Sequence, residues 1–570
     1  MNSWRHYTEI SRIAYFSMEI GLTTEIPTYS GGLGVLAGDT IKSAADLKLP
    51  LVAVTLISRK GYFRQTFNEQ GWQQESPVDW RPEDLLELLP GKALVTIENR
   101  DVKVQAWIYR VKSPTGGELP VLFLDTDIPG NLPEDRKITD HLYGGDKSYR
   151  LKQEIVLGIG GARLLQILGF QVRKYHLNEG HASLLTLELL NHHRLPVEDT
   201  WDERASWDTR SVQEKCVFTT HTPVEAGHDR FTYDLVNRVM GEVIPTDLLK
   251  ELGGKDELNM TMLALNLSHY VNGVAKKHGQ VSQALFPGFE IHAITNGIHP
   301  FTWGSPYMMA LFDKYLPGWA YEPELLVRVD NIPDLEIQDA HAGAKAYLFQ
   351  YIEEITGAKF DPEILTIGFA RRATAYKRAN MIFNDAERLK KIGAGKLQLV
   401  FAGKAHPHVD YGKKMIQEIR NQADFFGDDQ KIVYLPNYNI DVASRLIPGV
   451  DIWLNNPLRP LEASGTSGMK AALNGVPNFS VLDGWWIEGH IEGITGWSIG
   501  PPPTETTTDV NHSDEDVKDL YNKLEKTIIP LYYKDRKGWT QVMKNAIGKN
   551  AYYFNTHVMM RRYVTEAYLR

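Results

Sequence analysis

The chain has 570 residues, which is too long for one hydrophobic core and predicts at least two domains. Its 43% hydrophobic and 23% charged residues are typical of a globular protein, and no apolar stretch reaches the ~18 residues of a membrane helix. A net charge of −9 without basic runs argues against a nucleic-acid partner. The opening MNSWRHYTEI lacks the zones of a signal peptide, and the single cysteine, Cys216, cannot form an internal disulfide; together they predict a cytoplasmic protein.

The first elements form a strand, a glycine loop, a helix and another strand. IAYFSMEI begins at Ile13, SGGLGVLAGDTIKSAADLKLP supplies the loop and helix, and LVAVTLIS begins at Leu51. This βαβ unit predicts a parallel sheet with a right-handed crossover. Further along, VKVQAWIYRV and LPVLFLDTDI predict strands, and RLKQEIVLGIGGARLLQIL predicts a helix.

A second series begins near Ile364, where ILTIGFARR, LQLVFAGK, KIVYLPNY and VDIWLNN predict short buried strands followed by helices. We therefore expect an α/β protein with two doubly wound, Rossmann-like parallel-sheet domains, residues 1–305 and 306–570, facing a central cleft. The final helix, about residues 555–570, is capped by Asn555 or Thr556 and can pack back on the first domain.

Two segments have the composition of an anion site. In the loop SGGLG, which holds Gly31, Gly32 and Leu33, backbone N–H groups at a helix start can approach an anion, although a simple packing turn is an alternative. The loop is not a nucleotide fingerprint. RRATAYKR, from Arg371 to Arg378, places four cations directly after a buried strand, where a solvated helix start is the alternative.

A third segment, EASGTSGMKAALNG, combines glycines and hydroxyls with Lys470, a lysine suited to a Schiff base; a solvated surface lysine is the alternative. His221 and Asn296 follow strands and can bind sugar hydroxyls, with Trp303 available to stack on a sugar face, although each can be purely structural. The sequence has no metal motif, nucleophile elbow or Walker loop, so no metal site is predicted.

Together these segments resemble the α-glucan phosphorylases, the glycogen, starch and maltodextrin phosphorylase family, over nearly the whole chain. EASGTSGMKAALNG followed by VLDGWW is similar to the family's pyridoxal-phosphate signature, and RRATAYKR to its phosphate-binding segment. SGGLGVLAGD, THTPVEA, NEGHASLL, RLKQE, TNGIHP and FAGKAHP fall in the family's order. Ser467 and Gly468 depart from the GTGNMK of the large animal and plant enzymes. The short N-terminus resembles the compact prokaryotic type, for which we expect allosteric control to be absent.

The resemblance implies a GT-B-type glycosyltransferase that carries out retaining phosphorolysis. Terminal α-1,4-linked glucose of glycogen or maltodextrin would leave as α-D-glucose 1-phosphate. Lys470 would hold pyridoxal 5′-phosphate, whose phosphate relays a proton to inorganic phosphate, so that no enzyme nucleophile is required. Family members are mostly dimers, which implies a homodimer.

The resemblance also assigns roles to individual residues. The catalytic group would be Lys470, Arg372, Lys377 and His221, and the cofactor site would be Lys470, Thr466, Gly465, Tyr438 and Lys377. The substrate site would be Gly31, Gly32, Leu33, Glu462, Ser464, Gly465, Asn296, His221 and Tyr376.

Two alternatives compete with this interpretation. A retaining nucleotide-sugar glucosyltransferase, such as a starch synthase, would need a nucleotide pocket and would lack the near-ultraviolet absorbance of pyridoxal phosphate. A catalytically silent glucan-binding protein would require a broken cofactor or phosphate motif, whereas Lys470 and Arg372 are both intact.

Overall fold

The computed structural model describes residues 4–196, 203–503 and 512–569, and most of its strands belong to two large sheets. The strands of the first half are β1 (Ile13–Ser17), β2 (Leu51–Leu56), β3 (Arg64–Phe67), β4 (Gln73–Ser76), β5 (Glu87–Leu88), β6 (Ala93–Ile97), β7 (Arg100–Lys112), β8 (Glu118–Asp125), β9 (Lys174–Asn178), β10 (Cys216–Thr219), β11 (Arg230–Thr232), β12 (Glu257–Asn259), β13 (Tyr270–Gly273) and β14 (His292–Ala293). Those of the second half are β15 (Leu365–Ala370), β16 (Leu397–Ala402), β17 (Ile432–Leu435), β18 (Ile452–Asn455), β19 (Asn478–Val481) and β20 (Gly496–Ile499).

The helices precede, connect and follow these strands. In the first half they are α1 (Arg5–Ile10), α2 (Gly32–Asp46), α3 (Pro82–Leu85), α4 (Lys147–Ile155), α5 (Gly161–Leu168), α6 (Leu185–His192), α7 (Thr209–Gln213), α8 (Tyr233–Val239), α9 (Thr246–Gly253), α10 (Met260–Asn266), α11 (Lys276–Leu285), α12 (Pro300–Trp303) and α13 (Pro306–Tyr315). In the second half they are α14 (Asp334–Thr356), α15 (Ala386–Gly393), α16 (Asp410–Phe426), α17 (Ile440–Leu446), α18 (Thr466–Leu473), α19 (Trp486–Gly489), α20 (Ser513–Lys523), α21 (Ile529–Lys534), α22 (Arg536–Ala546) and α23 (Thr556–Arg562). Within these described ranges, no helix is long and apolar enough to cross a membrane.

The first sheet has the strand order β14-β13-β10-β9-β1-β2-β8-β7-β5, with β6 paired to β7. Its strands are parallel from β14 to β8, whereas β5, β6 and β7 run antiparallel to their neighbours. The antiparallel edge arises because a short turn joins β7 to β8, and a parallel pair would need a long crossover. The prediction of a parallel sheet therefore holds for most of this sheet but not for that edge.

The second sheet is parallel throughout, in the order β17-β16-β15-β18-β19-β20. Every residue of these six strands is buried, as expected for a sheet with helices on both faces. The predicted α/β fold class, with two doubly wound sheets, is confirmed.

The first sheet is also covered on both sides. Along β1, Ala14 and Phe16 belong to one hydrophobic core and Tyr15 to the other, because successive side chains of a strand point to opposite faces. The chain's last helix, α23, with its π-helical extension Tyr563–Tyr568, supplies Met560 to the same core as Tyr15. The C-terminal segment of the chain thus packs on the sheet formed by the N-terminal half.

The hairpin β3–β4 forms a second link between the halves. Gln65 Nε2 donates to Gly403 O at 2.9 Å, and Gln73 Nε2 donates to Ala405 O at 2.9 Å. Lys404 Nζ donates to Phe63 O at 2.8 Å. These bonds hold the hairpin against the carboxyl edge of the second sheet.

Candidate active site

Polar side chains follow the carboxyl ends of the parallel strands in both sheets. In the first sheet these are Glu19 after β1, Glu179 after β9, His221 after β10 and Asn296 after β14; in the second they are Arg371 and Arg372 after β15, Tyr438 after β17 and Asp483 after β19. Open α/β sheets bind ligands at this edge. The two edges approach each other where the glycine loop meets Arg372.

The glycine loop is shaped by Glu19 and limited by Arg372. Glu19 Oε2 accepts hydrogen bonds from Ser30 N at 2.5 Å and Gly31 N at 3.2 Å, and α2 then begins at Gly32 without a side-chain cap. A Cβ atom at position 31 would lie 2.6 Å from Arg372 Nη2. Glycine at this position therefore lets the guanidinium lie directly against the loop.

Four cations are clustered beside the loop, and three of them are paired. Arg371 Nη2 lies 2.7 Å from Glu462 Oε2, and Lys377 Nζ contacts the same oxygen. Arg378 is paired with Asp516. Arg372 is exposed and makes no side-chain hydrogen bond or ion pair within the part of the chain that the structure describes. The cluster therefore offers one guanidinium to an incoming anion.

The pKa values of both members of the buried ion pair in this cluster, Lys377 and Glu462, are shifted from their usual ranges. Burial lowers the pKa of Lys377 to about 7, helped by repulsion from Arg371 and Arg372 and opposed by Glu462. Burial alone would raise the pKa of Glu462, but the two cations outweigh it and the pKa is lowered. Lys377 Nζ also lies 4.4 Å from the ring centroid of Tyr376. An anion bound here would favour the protonated form of Lys377.

Asp483 supports the backbone that carries Glu462. Its carboxylate accepts hydrogen bonds from Glu462 N at 2.8 Å and Gly484 N at 2.9 Å. Burial, together with the charge of Glu462, raises the pKa of Asp483 to about 7. Asp483 lies in the VLDGWW motif, but the sequence alone gave no sign of this role.

Lys470 lies on α18, which begins at Thr466. The preceding residue, Gly465, has a φ of +88°, and no side chain caps the start of the helix. The amine is 3.6 Å from the ring centroid of Trp303. Burial lowers the pKa of Lys470 to about 8, with the positive charges of Arg371 and Lys42 acting in the same direction. A buried lysine with a lowered pKa is suited to attack a carbonyl carbon. Trp303 is buried against this amine, so the suggested stacking on a sugar face is not what the structure shows.

Two further predicted residues have buried oxygen atoms without a partner. Ser464 Oγ and Asn296 Oδ1 are both buried and accept or donate no hydrogen bond within the described residues. Buried polar atoms nearly always find a partner, so each is a candidate contact for a bound molecule.

His221 and Tyr438 are held in their neutral forms. His221 Nε2 lies 2.7 Å from Asn178 Oδ1, and burial lowers the pKa of this histidine to about 3. Burial raises the pKa of the Tyr438 phenol, which is close to Arg371 and Tyr29. Neither side chain carries charge near neutral pH, so each can offer hydrogen bonds but no charge.

Comparisons with known proteins agree with this geometry. Residues 245–495 match the family model described as "Carbohydrate phosphorylase". The chain is 39% identical to "Maltodextrin phosphorylase" of Thermococcus litoralis, over 98% of this chain and 70% of the relative. It is 37% identical to "Glycogen phosphorylase" of Mycobacterium tuberculosis, over 98% and 70%, and 36% identical to "Glycogen phosphorylase" of Aquifex aeolicus, over 98% and 86%.

The chain belongs to the carbohydrate phosphorylase family. The resemblance noted in the sequence is thereby confirmed, and the chain is an enzyme of the glycosyltransferase class.

Within this phosphorylase, the predicted site residues fall into three groups. The start of α2, against Arg372, holds Gly31, Gly32 and Leu33. The buried ion-pair cluster holds Lys377, Tyr376 and Glu462. The start and body of α18 hold Ser464, Gly465, Thr466 and Lys470. His221 and Asn296 lie on the edge of the first sheet. The sequence reasoning missed Arg371 and Asp483, although Arg371 carried the same signal as Arg372.

Proposed function

We propose that this phosphorylase removes terminal α-1,4-linked glucose from glycogen or maltodextrin. Inorganic phosphate would be the acceptor and α-D-glucose 1-phosphate the product, with retained configuration. The names of the relatives support a glucan substrate. The observation that carries the proposal is the guanidinium of Arg372, which lies against the backbone of Gly31 without a side-chain partner among the described residues. It leaves a positive charge beside a helix start where the two sheets meet.

Each group of residues has a task in this reaction. The amides at the start of α2 and the guanidinium of Arg372 hold and orient inorganic phosphate. Lys377 Nζ, with its pKa of about 7, holds or releases a proton beside that phosphate. Glu462, Ser464, Asn296 and His221 would bind glucose hydroxyls, with Gly465 giving close backbone access.

The surroundings of Lys470 fit pyridoxal 5′-phosphate. The amine has no hydrogen-bond acceptor within the described residues, Ser464 Oγ is an unpartnered buried hydroxyl nearby in sequence, and α18 begins without a side-chain cap. Lys470 would attach the cofactor, and Thr466 with the amides at the start of α18 would hold its phosphate. When bound, the cofactor would supply a phosphate group that can hold and release a proton. Tyr438 remains a predicted neighbour.

The direct test is an assay of glucose 1-phosphate release with phosphate varied, comparing glycogen with short maltodextrins. Phosphate-dependent release of the α-anomer, identified by nuclear magnetic resonance, is the expected result. Absence of release with both glucans, or glucosyl transfer from a nucleotide sugar instead, would contradict the proposal.

The cofactor has its own test. Lys470→Ala should purify without near-ultraviolet absorbance of pyridoxal phosphate and be nearly inactive. Wild-type protein whose lysine–cofactor bond has been reduced by borohydride should keep much of its activity, because the cofactor phosphate is unchanged. Loss of turnover after reduction, with the fold and cofactor retained, would rule out a proton-holding role for that phosphate.

We also infer that residues 1–305 and 306–570 form separate domains and that the protein is a homodimer. The last strand of the first sheet ends at Ala293, and the first strand of the second sheet begins at Leu365, which supports such a division. Light scattering after size-exclusion chromatography measures the oligomeric state, and a mass of one chain would contradict the dimer.

A further inference from the structure

The amine of Lys470 has an uncommon environment for a buried lysine. The residue is 6% exposed, and Nζ makes no hydrogen bond or ion pair within the described parts of the chain. Its close neighbour is the face of Trp303, with the ring centroid 3.6 Å away. The indole nitrogen of Trp303 donates to both oxygens of Asp39, at 2.9 and 2.8 Å. Asp39 is only 2% exposed.

We propose that Asp39 is a positioning residue for Lys470: it holds Trp303 against the amine and supplies the negative charge that this buried cation otherwise lacks. The inference rests on the proposed function of Lys470 as the attachment point of the cofactor. Asp39 lies on α2, Trp303 ends α12 and Lys470 lies on α18, so the contact joins the two halves of the chain at the site.

The charges around Lys470 single out Asp39. Asp39 and Lys42 face the amine from α2, and Arg371 faces it from the loop after β15. Of these three groups, Asp39 alone is acidic. Asp46, also on α2, is already engaged by His299 and His557, at 2.8 and 2.7 Å.

The charges of Asp39 and Lys42 shift the pKa of Lys470 in opposite directions. Burial lowers the pKa of Lys470 to about 8; Asp39 acts to raise it, while Arg371 and Lys42 act to lower it. Burial also raises the pKa of Asp39, and the charges of Lys470, Lys42 and His299 oppose that rise. Removing the charge of Asp39 should therefore favour the neutral amine, and removing that of Lys42 should favour the ammonium.

The rate at which pyridoxal phosphate attaches to Lys470 measures how much of the amine is in its neutral form. The lone pair of Nζ attacks the aldehyde carbon, a C–N bond forms, and the carbonyl oxygen leaves as water with the two protons of the amine, which leaves a C=N bond. Only the unprotonated lysine can begin this step, so the uptake rate follows the fraction of neutral Lys470.

The experiment mixes the full chain, stripped of cofactor, with pyridoxal phosphate between pH 6 and 10 and follows the growth of bound-cofactor absorbance. For wild type, the rate midpoint should lie near the Lys470 pKa of about 8. In Asp39→Asn, whose amide oxygen can still accept from Trp303, the midpoint should fall by roughly one unit. In Lys42→Gln it should rise. Trp303→Phe, which keeps the ring face but releases Asp39, should lower the midpoint less than Asp39→Asn.

The opposite shifts separate a charge-setting role from a merely structural one, because loss of packing would move both α2 variants in the same direction. Unchanged midpoints, or shifts of the same sign in Asp39→Asn and Lys42→Gln, would overturn the proposal. If Asp39→Asn does not fold, Lys42→Gln and Trp303→Phe decide by the same criterion. Failure of the wild-type chain to take up the cofactor at any pH would instead contradict the proposed function itself.

Discussion

At the scale of single residues, the four cations of RRATAYKR have different surroundings. Arg371 and Lys377 share Glu462, Arg378 pairs with Asp516, and Arg372 alone is left to face the glycine loop. A cation that is paired with an acidic side chain stabilises the fold of the site. A cation at a sheet edge without such a partner remains available to bind a ligand. The segment thus combines structural and ligand-binding charges.

Arg372→Ala should chiefly weaken the use of inorganic phosphate. A charged, bidentate contact is worth about 1.5–3 kcal/mol, so kcat/KM for phosphate should fall roughly ten- to a hundredfold. Initial rates at varied phosphate and saturating glucan measure this loss. Arg64→Ala, which removes an exposed arginine of the β3–β4 hairpin, is the control and should leave phosphate kinetics unchanged. Equal kinetics in Arg372→Ala and wild type would remove Arg372 from the site.

Asp483→Asn should lose stability in a pH-dependent way. An amide offers one acceptor oxygen for the N–H groups of Glu462 and Gly484, so the variant should be less stable by about 1–3 kcal/mol at pH 5. In wild type the raised folded-state pKa, about 7, means that the unfolded chain loses its proton first; native stability therefore falls as pH rises from about 4 to 7. The deficit of the variant should accordingly shrink by pH 8.

Thermal midpoints at pH 5, 6.5 and 8 measure this difference. The matched control is Asp451→Asn, because ion pairs with Lys345 and His341 lower the pKa of Asp451 to about 2. Its deficit should stay constant over the same range. A deficit of Asp483→Asn that stayed constant over this range, as for the control, would show that Asp483 is ionised in the native state throughout.

At the scale of elements, local signals predicted the strands and the last helix, but not every partner. The amphipathic pattern and Asn555, whose side chain accepts from Val558 N at 3.0 Å, specify where α23 begins. Which sheet the helix covers depends on contacts with residues more than 300 positions away, such as that between Tyr568 and His176. The antiparallel direction of β7 likewise follows from a connection too short for a crossover.

Met560→Ala should destabilise the first half of the molecule although it lies in the C-terminal helix. Met560 is 0% exposed, and truncating such a side chain costs about 2–5 kcal/mol. The thermal midpoint should fall by several degrees, and hydrogen exchange should rise in α2 and β1. Leu569→Ala, at a position that is 77% exposed, should change neither measurement. Increased exchange confined to the second sheet would contradict the packing described.

At the scale of the whole molecule, local patterns in the sequence predict candidate site segments, but they do not predict how these segments meet. Glycines, hydroxyls and cations at strand ends are local signals, and they made Gly31, Arg372 and Lys470 candidates. The pairing of Arg371 with Glu462 and of Asp39 with Trp303 spans 91 and 264 residues, respectively. Such pairings depend on how two sheets face each other, which no local pattern determines.

The same dependence makes the β3–β4 hairpin a testable link between the two halves. Gln73, which is 1% exposed, accepts from Ala405 N and donates to Ala405 O, each at 2.9 Å, and its oxygen also accepts from Gln65 Nε2 at 2.8 Å. Gln73→Ala leaves these groups without their buried partners, at a cost of about 1–3 kcal/mol for each unsatisfied group. Hydrogen exchange should therefore rise in the hairpin and around Ala405.

Because Gln73 bridges the two sides of the cleft, its loss should also lower kcat/KM for phosphate, while the absorbance of bound cofactor at Lys470 stays unchanged. Gln417→Ala is the matched control, since Gln417 donates to Gln70 O from a less buried position on α16 and its partner remains accessible to water. Water can replace that bond but not those of Gln73. Faster exchange in Gln73→Ala with wild-type phosphate kinetics would show that the hairpin stabilises the fold without influencing the cleft.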